Sequence, residues 1–312
     1  SHIAVDAEGW EDDTVDPSWA FSVEYLLLAL HRGKLKVARS SSTHILDDRL
    51  IVTDVPLEKK NPRLEGMVTI RTKGSSRGGI YIYTKDIPAS PAHTLVGRVS
   101  HGIELARIAG EGEYLAVRVS PKRFDLLGLP LSEAEERAGS LGIRATTDSD
   151  DSTRVVITQE PPTTLEALAS GHVTLGSVAL DHVIDIELFD DRAPRTIGIF
   201  REVSGLKLHN IGSMPFLFNF EEVFLFRPPI PTGTKIMLEN TPTEEVPADM
   251  LAMTNDSCKG TGIVGVRTSE NSEFGPTCEP FGGTNIIGRV LEPEKLALLE
   301  EGGLVYVREA GR

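Results

Sequence analysis

Arginine and aromatic side chains recur in and after short β-rich runs, and these residue types together favour binding. Arg71 lies in the run Gly66–Thr72, and Arg267 lies in the similar run Gly262–Thr268. Loops close by hold four aromatic residues, which are Tyr81, Tyr83, Phe274 and Phe281. Guanidinium groups bind carboxylates, and arginine and aromatic residues are enriched in protein interfaces. The interpretation that we favour is that the arginines face outward from barrel strands, and the alternative is that they rim a groove for acidic peptide or cofactor groups.

Nucleophilic and metal chemistry has weaker support. His93 precedes a strand, where it either lines a groove or, as we favour, is a surface or hydrogen-bonded structural histidine. Cys258 and Cys278 lie in polar, glycine-rich surroundings without a His or Asp at motif spacing, which argues against a catalytic thiol and leaves a redox role open. The histidines are scattered, and no Lys-Ser or Lys-Thr follows Gly282-Gly283. We therefore predict no metal, no phosphate loop and no cofactor.

The elements that must position these residues show an internal repeat. Three blocks recur in the same order along the chain. Gly66–Thr72 aligns with Gly262–Thr268, His93–Val99 with Thr284–Val290, and Glu113–Val119 with Gly303–Arg308. The repeat makes Arg71 equivalent to Arg267, and Arg98 equivalent to Arg289. Glycines inside the second pair of blocks indicate a bulge or a close backbone approach. The repeated unit is predicted as strand, loop, strand, helix, strand.

The second copy extends upstream of its aligned blocks. Val183–Phe189 alternates apolar and polar residues, as a half-buried strand does. Pro194 suits a first helical position, and Gly205 suits a helix end. A strand-rich stretch with a helix at one end predicts a closed β-barrel capped by helices.

The resulting fold class is α+β and mainly β, with two barrel modules from an internal duplication and a small helix–strand insert between them. The predicted domains are 1–119, 120–172 and 173–312, and the first module, which begins without Met, is expected to be truncated. The insert is predicted to hold a helix over 131–142 and a strand over 154–158. Residues 4–20 are acidic and predict a solvated arm or a docking segment, and the proline-rich loop 227–249 is either ordered or flexible.

Composition excludes several classes of protein. The chain has 312 residues, of which 40% are hydrophobic and 25% charged, as in folded proteins. No apolar run approaches the ~18 residues that span a bilayer, and the run Tyr25–Leu30 has the size of a buried strand. A net charge of −14 argues against nucleic acid as the partner. Two cysteines are too few for a disulfide scaffold, which favours a cytoplasmic protein.

Two segments resemble cyclophilins. Ile184–Ile197 resembles the strand and helix at the start of that fold, and His93–Ile103 resembles its later strand. The resemblance implies a Phe-His-Arg motif with a later Phe and Gln for isomerising X–Pro bonds. The best match here is Leu208-His209-Asn210 with Phe216 and Asn219, where Asn210 lacks the positive charge of the expected arginine. These residues remain candidates for the groove, and isomerase activity is the second hypothesis.

The first module offers only Leu30-His31-Arg32 for that motif. His31-Arg32-Gly33-Lys34 is instead predicted as a hairpin turn between two strands.

A closer resemblance covers most of the chain. Arg77–Tyr83, His93–Arg98, Leu126–Ala134 and Asn271–Val290 are together similar to methanogenesis marker protein 3, an archaeal family with cyclophilin-like modules. The resemblance implies an anaerobic archaeal cytoplasm and an accessory role beside methyl-coenzyme M reductase and its activation or assembly proteins. It also implies a small ubiquitin-like N-terminal segment, which this chain does not show at its start.

Three functions follow as hypotheses. The first is a non-catalytic binding or scaffold protein for methyl-coenzyme M reductase. The second is a peptidyl-prolyl isomerase or folding helper, and the third is a barrel that binds a small molecule at its mouth. A protein partner is expected in the first two hypotheses, with no nucleic acid and no membrane.

Overall fold

The computed structural model describes residues 1–12 and 14–311 and is mainly β. The chain forms two compact units. Unit 1 contains residues 1–125, 138–146 and 160–174, and unit 2 contains residues 126–137, 147–159 and 175–312. Within the described residues, no helix has both the length and the apolar character that crossing a membrane requires.

Unit 1 is built on a curled sheet of eight strands, with a small two-stranded sheet (β2 and β3) beside it. Its strands are β1 (Ile3–Ala7), β2 (Trp10–Glu11), β3 (Thr14–Val15), β4 (Lys34–Lys36), β5 (Arg39–Ser40), β6 (His44–Asp47), β7 (Met67–Arg71), β8 (Ile80–Tyr83), β9 (His93–His101) and β10 (Tyr114–Ser120). The order across the large sheet is β4-β10-β1-β9-β7-β8-β6-β5. Two helices accompany the sheet, α1 (Ala20–Leu30) and α2 (Ile103–Ile108).

Helix α1 corrects the prediction of a strand at Tyr25–Leu30. Its buried residues, among them Val23, Leu26 and Leu30, lie on one side of the helix, whereas the apolar Phe21 on the other side is exposed. Because the run is apolar all round, its periodicity does not distinguish a buried helix from a buried strand. The hairpin predicted at His31 is wrong for the same reason, since this turn joins a helix to β4.

Strand β1 corrects the prediction of a solvated N-terminal arm. Ile3, Val5 and Ala7 are buried in the core, while the acidic Asp6 alternates with them. The strand lies between β9, to which it is antiparallel, and β10, to which it is parallel. The start of the predicted arm is therefore a central strand that carries Asp6, and not a free segment.

The segment predicted as an insert contributes residues to both units. The predicted helix is present as α3 (Leu131–Ser140), and the predicted strand is present as β12 (Val155–Glu160). The prediction missed three further elements, which are β11 (Arg144–Thr147), α4 (Thr164–Ser170) and β13 (His172–Val178). They are short, and their polar residues give little periodicity.

Unit 2 contains a closed barrel of seven strands. They are β14 (Val183–Leu188), β15 (Ile211–Phe220), β16 (Val223–Phe226), β17 (Met250–Thr254), β18 (Val264–Arg267), β19 (Thr284–Val290) and β20 (Leu304–Glu309). The order around the barrel is β14-β19-β17-β18-β16-β15-β20. Helix α5 (Pro194–Ser204) begins at the predicted proline and ends at Gly205, as predicted.

The strand orders of the two units correspond when β4 and β5 are counted together as the counterpart of β15. In unit 1, Val5 pairs with Val99 and Val119. In unit 2, Ile186 pairs in the same way with Val290 and Glu309. Both sheets also carry the predicted irregularity beside an internal glycine, at Gly97 and at Gly288.

This correspondence changes one of the aligned blocks. Strand β7 pairs with β9, and β17 pairs with β19, which corresponds to β9. Strand β17 therefore occupies the place of β7, and β18 occupies the place of β8. Arg267 therefore corresponds to Tyr83 and not to Arg71. Neighbouring strands share similar short β-rich patterns, so a sequence match of seven residues can join the wrong pair. Arg98 and Arg289 do correspond, opposite Asp6 and Glu187.

Candidate functional site

The sheet of unit 1 buries side chains on both faces. One face contributes Val68, Ile70 and Ile82 to the main core. Because alternate strand residues point to opposite faces, their neighbours form a separate layer on the outer face. We call the polar and aromatic part of that layer the tyrosine–histidine cluster; it consists of His44, Thr69, Tyr81, Tyr83 and His93.

Hydrogen bonds join the buried members of the tyrosine–histidine cluster. The Thr69 hydroxyl oxygen lies 3.0 Å from His93 Nδ1 and 3.2 Å from the Tyr83 hydroxyl. The Tyr83 hydroxyl lies 3.3 Å from the same His93 nitrogen. The Tyr81 ring contacts the rings of His93 and His44, with centroids 4.8 and 5.0 Å apart. His93 is therefore buried and hydrogen-bonded, which corrects the alternative of a surface histidine.

His93 is held in its neutral form. Burial, with smaller contributions from the positive charges of Arg63 and Arg71 and from the neighbouring His44, lowers the pKa of His93 to about 4. The imidazole is consequently uncharged at neutral pH. It is only 5% exposed.

Two arginines flank the tyrosine–histidine cluster. Arg71 lies directly across from His93 in the β7–β9 register, and its Nε donates to the Lys73 carbonyl at 3.0 Å. Arg63 was not predicted; its guanidinium lies 5.5 Å from the Tyr83 ring centroid and donates to the Tyr83 hydroxyl at 3.4 Å. Four predicted residues, which are Arg71, Tyr81, Tyr83 and His93, thus come together, while Arg63 comes from a coil that carries no sequence signal.

The corresponding face of unit 2 is different. Gly265 occupies the place of Tyr81, and a Cβ there would lie 2.5 Å from the Pro276 carbonyl oxygen. The loop between β18 and β19 therefore packs against the strand where unit 1 has a tyrosine ring. Arg267 ends β18 with its Nη2 3.8 Å from Cys278 Sγ, and its buried Nε has no hydrogen-bond partner among the described residues. Both cysteines are free thiols.

The remaining predicted residues of unit 2 are dispersed. Phe216 is 2% exposed in the barrel core, so its placement in a groove is corrected. His209 and the exposed Asn210 lie in the turn between α5 and β15. Phe274 is exposed, whereas Phe281 packs in a small cluster with Val246, Ala252 and Ile286.

Unit 2 has a cleft of about 990 Å³ that the sequence did not predict. The C-terminal end of α5 and the outer side of β15 form part of its lining, together with the segments 227–230 and 259–263. Three prolines line it, which are Pro215, Pro228 and Pro229, and Ile230, Ile263 and Leu304 add apolar surface. Its charged lining residues are Glu202, Arg227 and Lys259. Among the described residues, neither Arg227 nor Lys259 forms an ion pair.

The proline-rich loop beside this cleft is ordered by buried contacts. Ile236 packs into the barrel core. The Glu239 carboxylate accepts hydrogen bonds from the backbone nitrogens of Arg195 and Thr196, at 2.9 and 2.7 Å, and thereby caps α5. Burial opposes the charged form, but the hydrogen bonds from Thr196 and Arg195 outweigh it and lower the pKa of Glu239.

We expect Glu239→Ala to lower the free energy of unfolding of unit 2 by about 1–2 kcal/mol, the usual effect of losing a helix cap. Urea unfolding followed by far-ultraviolet circular dichroism measures the change. Glu244→Ala is the matched control, because Glu244 is an exposed carboxylate of the same loop. Equal stability of the two variants would contradict the capping role.

No group of histidine, cysteine and acidic side chains within residues 1–12 and 14–311 is arranged to hold a metal ion.

Comparison with known proteins identifies similar sequences in methanogenic archaea. The UPF0288 protein of Methanosarcina barkeri is 37% identical over 292 residues, which is 93% of this chain and 56% of that protein. The UPF0288 proteins of Methanothermobacter thermautotrophicus and Methanopyrus kandleri are 36% and 34% identical, with 93% and 92% of this chain covered and 56% and 58% of theirs. The chain thus spans a little over half the length of these relatives.

A family model also matches residues 184–310, and its description is "Putative peptidyl-prolyl cis-trans isomerase domain". The matched range contains nearly all of the barrel of unit 2. Among solved structures, an uncharacterized B. cereus protein aligns with a TM-score of 0.30 and 14% identity, covering 38% of this chain and 33% of that one.

Proposed function

We propose that unit 2 is a peptide-binding module whose cleft holds an extended, proline-containing segment of a partner protein without isomerising it. The observation that carries the proposal is the cleft itself, which is large, partly apolar and lined by three prolines. The barrel interior is filled by apolar side chains, among them Met214, Phe216 and Phe226. The peptide is therefore proposed to bind in the cleft outside the barrel, and not in the filled interior.

The lining of the cleft suits a peptide. Proline rings are rigid, so a wall made of them loses little conformational entropy when a ligand binds. Covering the exposed side chain of Leu304 and the partly buried side chain of Ile230 lowers the free energy of the bound state. Arg227, Lys259 and Glu202 supply polar groups that can fix the orientation of a bound segment.

The partner in this proposal belongs to the methyl-coenzyme M reductase machinery of methanogens, as a component of its assembly or activation. Two observations support it: the relatives come from methanogenic archaea, and several segments resemble methanogenesis marker protein 3. We also propose that both units are cyclophilin-like. The segments that resemble cyclophilins and the corresponding strand orders of the two units support this proposal. A cytoplasmic location follows from the proposed partner.

We expect Leu304→Glu to reduce recovery of reductase components at least tenfold in a pull-down from methanogen lysate with the full chain as bait. Leu304 lines the cleft and is 55% exposed, so a charge there blocks an apolar contact without entering the core. Leu298→Glu is the control, since Leu298 is 52% exposed and lies outside the cleft. Absence of reductase, activation and assembly components from the wild-type pull-down would refute the proposed partner.

Isomerase activity is a second candidate, because the matching family model carries that description and the cleft contains a guanidinium. An arginine near the prolyl nitrogen would weaken amide resonance and lower the ~18–20 kcal/mol barrier to rotation. Under the binding proposal, the wild-type chain does not accelerate isomerisation of a proline tetrapeptide. Acceleration that Arg227→Gln abolishes and Arg227→Lys largely removes would establish the isomerase instead.

A further inference from the structure

Two guanidinium groups without carboxylate partners stand beside the tyrosine–histidine cluster of unit 1. Among the described residues, neither Arg63 nor Arg71 forms an ion pair. Arg63 Nε donates to the Pro88 carbonyl at 2.8 Å, and Arg71 Nε donates to that of Lys73. These backbone acceptors fix both guanidinium groups, and several N–H donors of each have no partner within the described part of the chain.

The acidic residues nearest along the chain bind other groups and do not pair with Arg63 or Arg71. The Glu65 carboxylate pairs with Arg107, and the Asp86 carboxylate accepts from the Glu65 backbone nitrogen at 2.8 Å. Lys73 and Lys85 add positive charge beside β7 and β8. This part of unit 1 therefore holds two guanidinium groups that no carboxylate of the described residues neutralises by pairing, in a chain whose net charge is −14.

The geometry points to a binding site for a small anion, a carboxylate or phosphate group, that Arg63 and Arg71 hold beside His93 on the outer face of unit 1. Arginine suits both groups, because its planar fork donates two parallel hydrogen bonds to either. The buried rings of Tyr81 and His93 and the half-buried His44 give the site an aromatic floor. Fixed donors in a partly buried setting bind an anion more strongly than mobile surface lysines do.

Binding and protonation of His93 are coupled in this arrangement. The charged and titratable groups that face His93 are Arg63, Arg71, His44, Tyr81 and Tyr83. Two of them are cations that disfavour a second positive charge on the imidazole. An anion between the arginines offsets that repulsion and so raises the pKa of His93, and an anion that keeps its charge binds more tightly as the pH falls.

The test is NMR titration of the histidine imidazole resonances of the full chain, with inorganic phosphate in one series and acetate in another. We expect at least one anion to shift the His93 resonances saturably and to raise its pKa. Response to phosphate alone or to acetate alone identifies which anion the site takes. No saturable shift with either anion would overturn the inference.

Variants separate specific binding from general charge attraction. Arg71→Gln and Arg63→Gln should each weaken binding at least tenfold, and Arg71→Lys should restore only part of the affinity because it loses the fork. Arg98→Gln is the control, since Arg98 is an exposed arginine on β9 at a distance along the strand from His93. An equal loss in Arg98→Gln and Arg71→Gln would also overturn the inference. Tryptophan fluorescence verifies that each variant retains a folded unit 1, where both tryptophans lie.

Discussion

Gly288→Ala is expected to destabilise the barrel of unit 2 by about 3 kcal/mol, the upper part of the range for overpacking. A Cβ on residue 288 would lie 2.1 Å from the Glu187 carbonyl oxygen of the neighbouring strand β14. That oxygen belongs to a backbone that is paired on both sides, with β19 and with β20. It cannot move aside without separating strands, so the barrel has to open locally.

Urea unfolding monitored by far-ultraviolet circular dichroism measures this loss. Gly198→Ala is the control, because Gly198 lies in α5 with no neighbouring atom within 4 Å of the new methyl group. That variant should gain about 0.5–1 kcal/mol from the higher helix propensity of alanine. If Gly288→Ala proved as stable as the wild type, the close approach of β19 to β14 would be wrong. Gly97→Ala should be milder, since its closest backbone oxygen, on Asp6, lies 2.8 Å away.

The glycines show where sequence reasoning succeeds. A glycine within an otherwise β-rich run is a local signal, and both Gly97 and Gly288 lie at the irregularities that this signal predicted. The match of Gly66–Thr72 to Gly262–Thr268 failed because it compares strands by composition alone. Which neighbour a strand pairs with depends on the whole sheet, and a short run carries no information about it.

The candidate sites divide in the same way. Tyr81 and Tyr83 were predicted from residue type, and strand alternation brings them to one face with His93. Arg63 was missed because it lies in a coil segment without periodicity. The cleft of unit 2 was missed because segments distant in sequence line it. Phe216 was misplaced since alternation along β15 turns Met214 and Phe216 inward, and Pro215 between them outward. Residue type indicates which side chains could bind, but the strand register decides which of them face solvent.

His93 should make the stability of unit 1 depend on pH between about 6.5 and 4. The ordinary histidine pKa is about 6.5, and burial lowers that of His93 to about 4 in the folded protein. As the pH falls through this range, the unfolded chain takes up a proton that the folded chain does not. The free energy of unfolding therefore falls with the pH, by about 3 kcal/mol in total, and is constant above the range.

The measurement compares wild type with His93→Gln in urea unfolding at pH 7.5, 6, 5 and 4.5, followed by tryptophan fluorescence. Both tryptophans lie in unit 1, so the signal reports on the unit that contains His93. Burial also lowers the pKa of His44, which likewise reduces the free energy of unfolding as the pH falls. Burial raises the pKa of Glu24, which increases the free energy of unfolding as the pH falls. Because both are present in wild type and variant, the difference between the two curves isolates His93. His93→Gln should be less stable than the wild type at pH 7.5 and should approach it as the pH falls. Parallel curves of unfolding free energy against pH would show that His93 is protonated as readily in the folded chain as in the unfolded one.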